Sequence, residues 1–329
     1  MRILITTGIY PPEIGGPAEY AKNLKEAWSK EGHQISVMVF SRFNFLPTGI
    51  RHLVYFFYIL PAVLRVDFIF ALDTFSAALP SVLAARMLGK KIILRTGGDF
   101  LWESYVERTG ELVLFKNFYK TCSNNLSAKE RNIFKLIKFV LKKVNAVIWS
   151  TKWQRDIFFE PYKLAEQKHF IVENYYGPKI VSKEPVGKNF VAATRKLRWK
   201  NIPTLEKVFQ EKEVIDFGAT LDTGIVPHDE FLDKLSRSYA VIIVSLGDIS
   251  PNTILDAIRC GKPFILTRET GLYDRIKGIS IFVDPQDPED IKKQVLWLSK
   301  PQNYAAQKQK VVNFTFTHTW EDIAKEYMA

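Results

Sequence analysis

Short apolar runs rich in β-branched residues alternate with longer amphipathic stretches along the first half of the chain. The runs lie at 2–7, 35–40, 68–72, 91–95, 146–150 and 170–174, and the stretches between the first four of them at 17–31, 52–66 and 76–89. Runs of this length predict strands, and the amphipathic stretches predict helices. Because strands that alternate with helices form a parallel sheet covered by helices, we expect an α/β domain.

The same pattern starts again in the second half, after a loose stretch at 175–189 that holds two prolines and two glycines and has no apolar face. Such a stretch is typical of a connection between domains. Further strands are predicted at 190–194, 213–218, 240–245, 263–267 and 280–284. We therefore expect two Rossmann-like domains with parallel sheets facing across a cleft. Their predicted bounds are 1–177 and 178–315. A C-terminal helix is predicted at about 316–329, and it is able to pack on the first domain.

Composition narrows the class of protein. Of 329 residues, 47% are apolar and 25% are charged, which are ordinary globular values and exclude a disordered or fibrous chain. Cys122 and Cys260 lie in separate halves without metal-ligand spacing, so neither a disulfide scaffold nor a metal site is expected. Met1 leads directly into a strand without a signal-like segment, and the apolar stretch at 52–66 is shorter than the roughly 20 residues that span a bilayer. We expect a cytoplasmic protein.

The net charge of +11 is distributed unevenly. Residues 1–177 hold 24 basic and 15 acidic residues, against 22 and 20 in 178–329. A basic first half suggests an anionic partner: a phosphorylated substrate, an anionic lipid or a nucleic acid. Nucleic acid is disfavoured because no recognisable binding module interleaves these cations with aromatics. The basic amphipathic stretch at 127–144 indicates either peripheral contact with an anionic membrane or an ordinary helix with a solvated basic face.

Residues 245–263, SLGDISPNTILDAIRCGKP, place a helix start directly after a predicted strand. Ser250 suits the N-cap and Pro251 the first helical position. The free N–H groups of a helix start favour phosphate oxygens, and the residues that supply them are Ile249, Ser250, Asn252 and Thr253. Asp248 and Asp256 suit hydrogen bonds from sugar hydroxyls beside the phosphate. The alternative is that both acids only cap the helix or interact with its dipole.

A basic turn follows the first strand of the second half. Within TRKLRWKN (194–201), Arg195 and Lys200 are placed to bind a phosphate group, the arginine as a fork and the lysine as a point charge. Lys196 and Arg198 lie in the same stretch, so a solvated basic turn without a ligand is the alternative.

Two loops of the first half also carry candidates. Gly15 and Gly16 permit close approach of a ligand to the backbone before the first helix, although a tight turn explains them equally well and no dinucleotide or P-loop motif is present. After the fourth strand, Asp99, Trp102 and Glu103 suit a sugar ring, with carboxylates for hydroxyls and the indole over a C–H face. A loop acid beside a core tryptophan is the alternative.

Taken in order, these motifs resemble the retaining GT-B glycosyltransferases of family 4, over nearly the whole chain. The resemblance rests on IYPPEIGGPAEYAKNL, WSKEGHQISV, Ser150, Asn174, Arg195-x4-Lys200 and Asp248-x7-Asp256 followed by AIRCGKP. It implies a nucleotide-sugar donor held mainly by the second domain, and an acceptor held by the first that is a glycan or a lipid-linked molecule. Arg195 and Lys200 would bind the diphosphate, Asp248 the transferred sugar and Asp256 the ribose.

Under this resemblance Arg195, Lys200, Asp248 and Asp99 form the catalytic set, without a metal or another cofactor. The candidates for the acceptor are Glu19, Asp73, Trp102 and Glu103. The sequence departs from the family pattern where both glutamates become aspartates, where Asn201 replaces a glycine and where Gly271 stands without its usual paired glycine. Asp99 with Trp102-Glu103 replaces a histidine, similar to the GD-x-x-WE variant of some bacterial relatives. A non-catalytic protein that binds nucleotide sugars stays open as the alternative.

Overall fold

The computed structural model describes residues 1–13, 15–192 and 194–328, apart from the side chains of residues 228 and 229. The chain divides into two compact units. The first holds Met1–Ser104, Thr121–Asn174 and Thr319–Ala329, and the second Tyr105–Lys120 and Tyr175–His318. Residues 105–120, which lie inside the predicted first domain, therefore group with the second unit.

The described chain forms eleven strands. They are β1 (Arg2–Thr7), β2 (Gln34–Val39), β3 (Phe68–Ala71), β4 (Lys91–Thr96), β5 (Ala146–Trp149), β6 (His169–Ile171), β7 (Lys188–Val191), β8 (Ala219–Asp222), β9 (Ala240–Ile243), β10 (Phe264–Thr267) and β11 (Ile281–Val283).

Fifteen α-helices lie in the same described residues. They are α1 (Gly16–Lys30), α2 (Ile50–Arg65), α3 (Ala78–Met87), α4 (Phe100–Thr109), α5 (Phe115–Thr121), α6 (Ala128–Lys143), α7 (Lys152–Tyr162), α8 (Ile202–Gln210), α9 (Lys212–Asp216), α10 (His228–Arg237), α11 (Asn252–Arg259), α12 (Tyr273–Ile276), α13 (Pro288–Leu298), α14 (Pro301–Val312) and α15 (Trp320–Glu326).

The first unit is built on a six-stranded sheet in the order β2-β1-β3-β4-β5-β6, and every pairing is parallel. The apolar runs of β1 and β3 are buried throughout their centres, as expected for strands covered on both faces. Helix α1 turns Ala18, Ala21, Leu24 and Trp28 to the interior. The indole Nε1 of Trp28 donates to the Ala324 carbonyl at 3.2 Å, so α15 packs on α1 within this unit.

The second unit has a five-stranded parallel sheet in the order β11-β10-β9-β7-β8. Strand β9 is buried at all four positions, and apolar clusters cover both faces of the sheet. Strand β7 lies between β8, its successor in sequence, and β9, to which the chain returns after α10. The direction of winding thus reverses between β7 and β9, and ligands of open α/β sheets bind at such a switch point.

The strand predicted at 213–218 is wrong. Val214 and Ile215 lie in the short helix α9, Gly218 ends it with a φ of 70°, and strand β8 begins only at Ala219. A short apolar run is compatible with either structure, because its neighbours in the fold decide between helix and strand. Here the valine packs into the core of the second unit, whereas the isoleucine is exposed.

Helix α2 contains nearly all of the apolar stretch at 52–66. Tyr55, Ile59 and Val63 are buried, but the opposite face is exposed over its whole length. The large apolar residues of this exposed face are Ile50, Leu53, Val54, Phe57, Tyr58 and Leu64. Among the residues that the structure describes, no helix has both the length and the hydropathy needed to cross a membrane.

Candidate functional site

The candidate site lies at the carboxyl edge of the second unit's sheet, at its switch point. Strands β7 and β9 are paired there, with Phe190 opposite Ala240. The loop after β7 carries Arg195 and Lys200, and the loop after β9 carries Asp248. Topology therefore brings together two loops that are about 50 residues apart in sequence.

A buried ion pair joins these two loops. Lys200 Nζ lies 2.6 Å from Asp248 Oδ2, and the side chains are 13% and 11% exposed. Ser245 Oγ donates to the same carboxylate oxygen at 3.0 Å. Backbone bonds reinforce the junction, because the Leu246 N–H donates to the Trp199 carbonyl at 2.8 Å. Two of the predicted residues are thus held against each other with little water around them.

Asn201 explains how the lysine reaches this position. Its backbone has φ 58° and ψ 28°, the left-handed conformation that asparagine tolerates and that the family glycine would adopt freely. Its side-chain amide donates to the carbonyls of Val244 at 3.3 Å and Pro285 at 2.7 Å. The asparagine therefore turns the chain after Lys200 and ties the turn to two other loops.

The helix predicted after Asp248 is α11, with one correction. Pro251 is the N-cap, and its carbonyl accepts from the Ile254 N–H at 2.9 Å, so the predicted cap at Ser250 is wrong by one residue. Ile249 and Pro251 are buried, whereas Asn252 is exposed in the first turn. Thr253 is half-buried beside it.

Asp256 lies inside α11 and is buried. Arg259 Nη1 donates to its Oδ1 at 3.0 Å, one turn further along the helix. This contact is a local ion pair within the helix, and a carboxylate accepts several hydrogen bonds at once.

Arg195 differs from the other predicted cations. It is exposed, and its guanidinium makes no hydrogen bond or ion pair with the described residues. Its backbone carbonyl accepts from the Leu197 N–H at 2.8 Å, which closes the turn that leads to Lys200. The guanidinium is therefore available to an external anion.

The candidates at the start of the first unit occupy the loops after β1 and β3. Gly16 begins α1, and a Cβ on Gly15 would lie 2.9 Å from Ile9 Cδ1, so a larger residue there would displace the end of the isoleucine side chain. Glu19 is half-buried in the first turn of α1. These positions fit a tight turn as well as a ligand-binding loop.

Asp73 has a local role. Its carboxylate accepts from the backbone N–H groups of Phe75, Ala77 and Ala78 at 2.9 to 3.1 Å, before helix α3. Burial raises the pKa of this carboxyl, although these N–H groups act in the opposite direction. The side chain thus stabilises the loop before α3, which is a common role for an aspartate near a helix start.

Asp99 and Trp102 are buried at the start of α4. The Asp99 carboxylate accepts from the N–H groups of Leu101 at 2.8 Å and Trp102 at 3.1 Å. Trp102 is only 2% exposed, so its indole offers no open face to a sugar ring, in contrast to the expectation above. Glu103 is half-buried, and a Cβ on Gly98 would lie 2.9 Å from its Oε1.

Sequence reasoning missed Arg95, the only charged residue in the interior of β4. Its Nη2 donates to Ser150 Oγ at 2.9 Å and to Asn174 Oδ1 at 2.5 Å, and its guanidinium carbon lies 3.7 Å from the centre of the Tyr20 ring. The serine and asparagine of the family resemblance are therefore connected by this arginine. An arginine among the apolar residues of KIILRT was the available signal.

Sequence reasoning also missed Glu269, which follows β10. It is buried, pairs with Lys116, and its carbonyl accepts from the Asp248 N–H at 2.8 Å. Burial raises the pKa of its carboxyl, and the lysine opposes this effect. Among the described residues, no three His, Cys, Asp or Glu side chains are grouped as a metal site.

No protein-family model matches the chain, and no curated protein matches it. Several solved structures match the chain. Sucrose-phosphate synthase from Thermosynechococcus elongatus matches with a TM-score of 0.68 and 13% identity, over 100% of this chain and 98% of that one. HepE from Anabaena, in complex with UDP, matches with a TM-score of 0.67 and 11% identity over the same shares. The lipopolysaccharide outer core galactosyltransferase WaaB matches with 0.62 and 13%, also over 100% and 98%.

Identities this low establish the fold alone. Together with the two parallel sheets, the matches over the full chain confirm the predicted α/β class with two Rossmann-like domains, the GT-B fold.

Proposed function

We propose that this protein is a retaining glycosyltransferase that moves a sugar from a nucleoside-diphosphate donor to an acceptor hydroxyl. The observation that carries the proposal is the Lys200–Asp248 pair at the switch point of the second unit, directly before helix α11. A cation, a carboxylate and a helix start at this edge suit a diphosphate flanked by sugar hydroxyls. Neighbours of the same fold that bind UDP support the same assignment.

The chemistry would rest on stabilising the leaving group. Lys200, the exposed guanidinium of Arg195 and the N–H groups at the start of α11 would bind the nucleoside diphosphate as its negative charge develops. Fixed donors of this kind lower the barrier most when they are aimed at the charge of the transition state. We propose that no metal is required, because these groups supply the positive charge.

A thermal-shift screen across nucleoside diphosphates and their sugars tests the proposal. A ligand present at 100 times its dissociation constant raises the apparent stability by about 2.7 kcal/mol. We expect one nucleotide base to stabilise the protein, and its sugar conjugate to release free nucleoside diphosphate when an acceptor is added. A protein that no nucleotide stabilises would contradict the proposal.

We further propose that the acceptor is lipid-linked or lies close to a membrane. Its support is the exposed apolar face of α2 on a unit whose sequence holds 22 basic and 16 acidic residues. Large exposed apolar patches mark interaction sites, and basic residues around such a patch favour binding to anionic lipid. The basic residues of α6 would add attraction, since that helix buries Ile133, Ile137 and Val140 and leaves Lys135 and Lys142 exposed. We propose peripheral contact with the cytoplasmic face of the cell membrane.

A non-catalytic nucleotide-sugar binder is the second candidate, and one observation favours it. Asp248 and Asp256 are each paired with a cation of the same chain. Carboxylates engaged in this way are less available to a donor. The binder predicts stabilisation by a nucleotide sugar without any release of nucleoside diphosphate, so the acceptor step of the screen separates the two candidates.

A further inference from the structure

Residues 105–120, from the first half of the sequence, contact the loops that follow β7, β9 and β10 in the second unit. Glu107 Oε1 accepts from the Arg198 N–H at 2.6 Å, next to the turn of Lys200. The Phe115 N–H donates to the Leu246 carbonyl at 3.0 Å, between Ser245 and Asp248. Lys116 Nζ pairs with Glu269, in the loop after β10. The segment 105–120 therefore forms part of the same site.

Close packing accompanies these bonds. Gly110 has φ 74°, and a Cβ at this position would lie 2.3 Å from Arg198 Nη1. The carbonyl of Leu112 accepts from Gln286 Nε2 at 2.8 Å. The segment that carries Lys116 is thus held to the second unit at several points along its length.

Glu269 carries the feature that points to a ligand. The residue is 3% exposed, and Oε1 is engaged by Lys116, whereas Oε2 is buried without a hydrogen-bond partner among the described residues. A buried carboxylate oxygen without a donor is destabilising, so a donor supplied from outside would be a favourable partner. The lysine that pairs with it lies partly in solvent, with its side chain 48% exposed.

We propose that Glu269 binds a hydroxyl of the transferred sugar through Oε2 and that Lys116 positions its carboxylate. The inference rests on the proposed function and adds a specificity-determining residue to it. In Asp248, Lys200 and Ser245 both donate to Oδ2, and only the Glu269 carboxylate has a buried oxygen without a partner among the described acids of this site. Glu269 lies next to Asp248 in the fold, since its backbone carbonyl accepts from the Asp248 N–H.

Glu269→Gln tests the inference, because it keeps the size of the side chain and removes its charge. The probes are the nucleoside diphosphate found by the thermal-shift screen and its sugar conjugate, titrated by calorimetry. We expect the affinity for the conjugate to fall about tenfold relative to the free nucleotide, the effect of one hydrogen bond to a charged group. Glu206→Gln, at an exposed glutamate of α8, is the matched control. It should leave the ratio of the affinity for the conjugate to the affinity for the free nucleotide unchanged.

Lys116→Met is the second variant, in case Glu269→Gln does not fold. It should lower the same ratio, and Lys116→Arg should restore most of it, whereas a merely structural lysine would affect both ligands equally. If the unmodified protein binds no nucleotide, the proposed function fails and this inference with it. If nucleotides bind but both variants discriminate sugar from free nucleotide as the unmodified protein does, only this inference is overturned.

Discussion

Lys200 and Asp248 form one ion pair across two loops that are separated by 48 residues in sequence. The pair lies where the family resemblance expects the donor diphosphate and sugar. Its burial makes it important for stability as well as for binding, because a buried charge that loses its partner is strongly destabilising.

Lys200→Met should therefore weaken nucleoside-diphosphate binding by about tenfold to hundredfold, the range for a charge-assisted hydrogen bond. It should also lower the free energy of unfolding by about 3–5 kcal/mol, because Asp248 is left as a buried charge that keeps the hydrogen bond from Ser245 but loses its cation. Calorimetry and thermal unfolding measure the two effects. Lys207→Met, an exposed lysine of α8, is the control, and equal nucleotide affinity in both variants would count against the site.

Asp256→Asn separates the ribose from the diphosphate. We expect nucleoside-diphosphate affinity to fall about tenfold and pyrophosphate affinity to stay constant, because the carboxylate is assigned to the ribose hydroxyls. Asp274→Asn, at a fully solvated position with its side chain 94% exposed, should change neither. A parallel loss of both ligands would mean that Asp256 acts only through Arg259 and the helix.

The left-handed backbone of Asn201 predicts which substitutions at this position lower the unfolding free energy most. Asn201→Gly keeps the left-handed φ but loses two bonds to buried carbonyls, and should lower the unfolding free energy by about 1–3 kcal/mol. Asn201→Ala loses the same bonds and adds about 1–2 kcal/mol of backbone strain. Thermal unfolding should therefore place glycine above alanine, and the reverse order would contradict the role of φ.

Lys262 predicts a dependence of stability on pH. Burial lowers the pKa of its ammonium group to about 8 in the folded protein from 10.5, and its Nζ donates to the Lys183 carbonyl at 2.7 Å. Between these two pH values the unfolded chain binds more protons, so the unfolding free energy rises with pH through this window. Across the window the unfolding free energy increases by about 3 kcal/mol, because each pKa unit corresponds to about 1.36 kcal/mol.

The measurement compares denaturant unfolding of the unmodified protein and of Lys262→Met from pH 7 to 10.5. The stability of the unmodified protein relative to the variant should increase across the window. Lys310→Met, an exposed lysine of α14, provides the reference for nonspecific charge effects and should show no such trend. A flat difference would show that burial does not shift this lysine.

The exposed face of α2 predicts binding to vesicles. Phe57→Glu should reduce flotation with vesicles of anionic lipid at low salt, because it places a negative charge in the centre of the apolar face, where Phe57 is 61% exposed. Leu83→Glu is the control on α3, since Leu83 is also exposed, at 44%. No flotation of the unmodified protein at low salt would rule out membrane contact.

Local pattern was sufficient to predict the general architecture. Continuous apolar runs predicted ten of the eleven strands within a few residues, because a strand covered on both faces needs apolar side chains at every position. The strand predicted at 213–218 was wrong because a short apolar segment packs equally well as a short helix. The helix after Asp248 was predicted from Ser250 and Pro251 at its start, with an error of one residue at its cap.

By itself, the sequence determined the α/β class, the two sheets and the residue types at the strand ends, because these depend on periodicity within a few neighbouring positions. The order of strands was decided only by the tertiary structure. It placed β7 beside β9, joined Lys200 to Asp248, and brought Lys116 to Glu269 across 153 residues of chain. Such contacts depend on which faces pack together in three dimensions, and no local pattern along the chain encodes that choice.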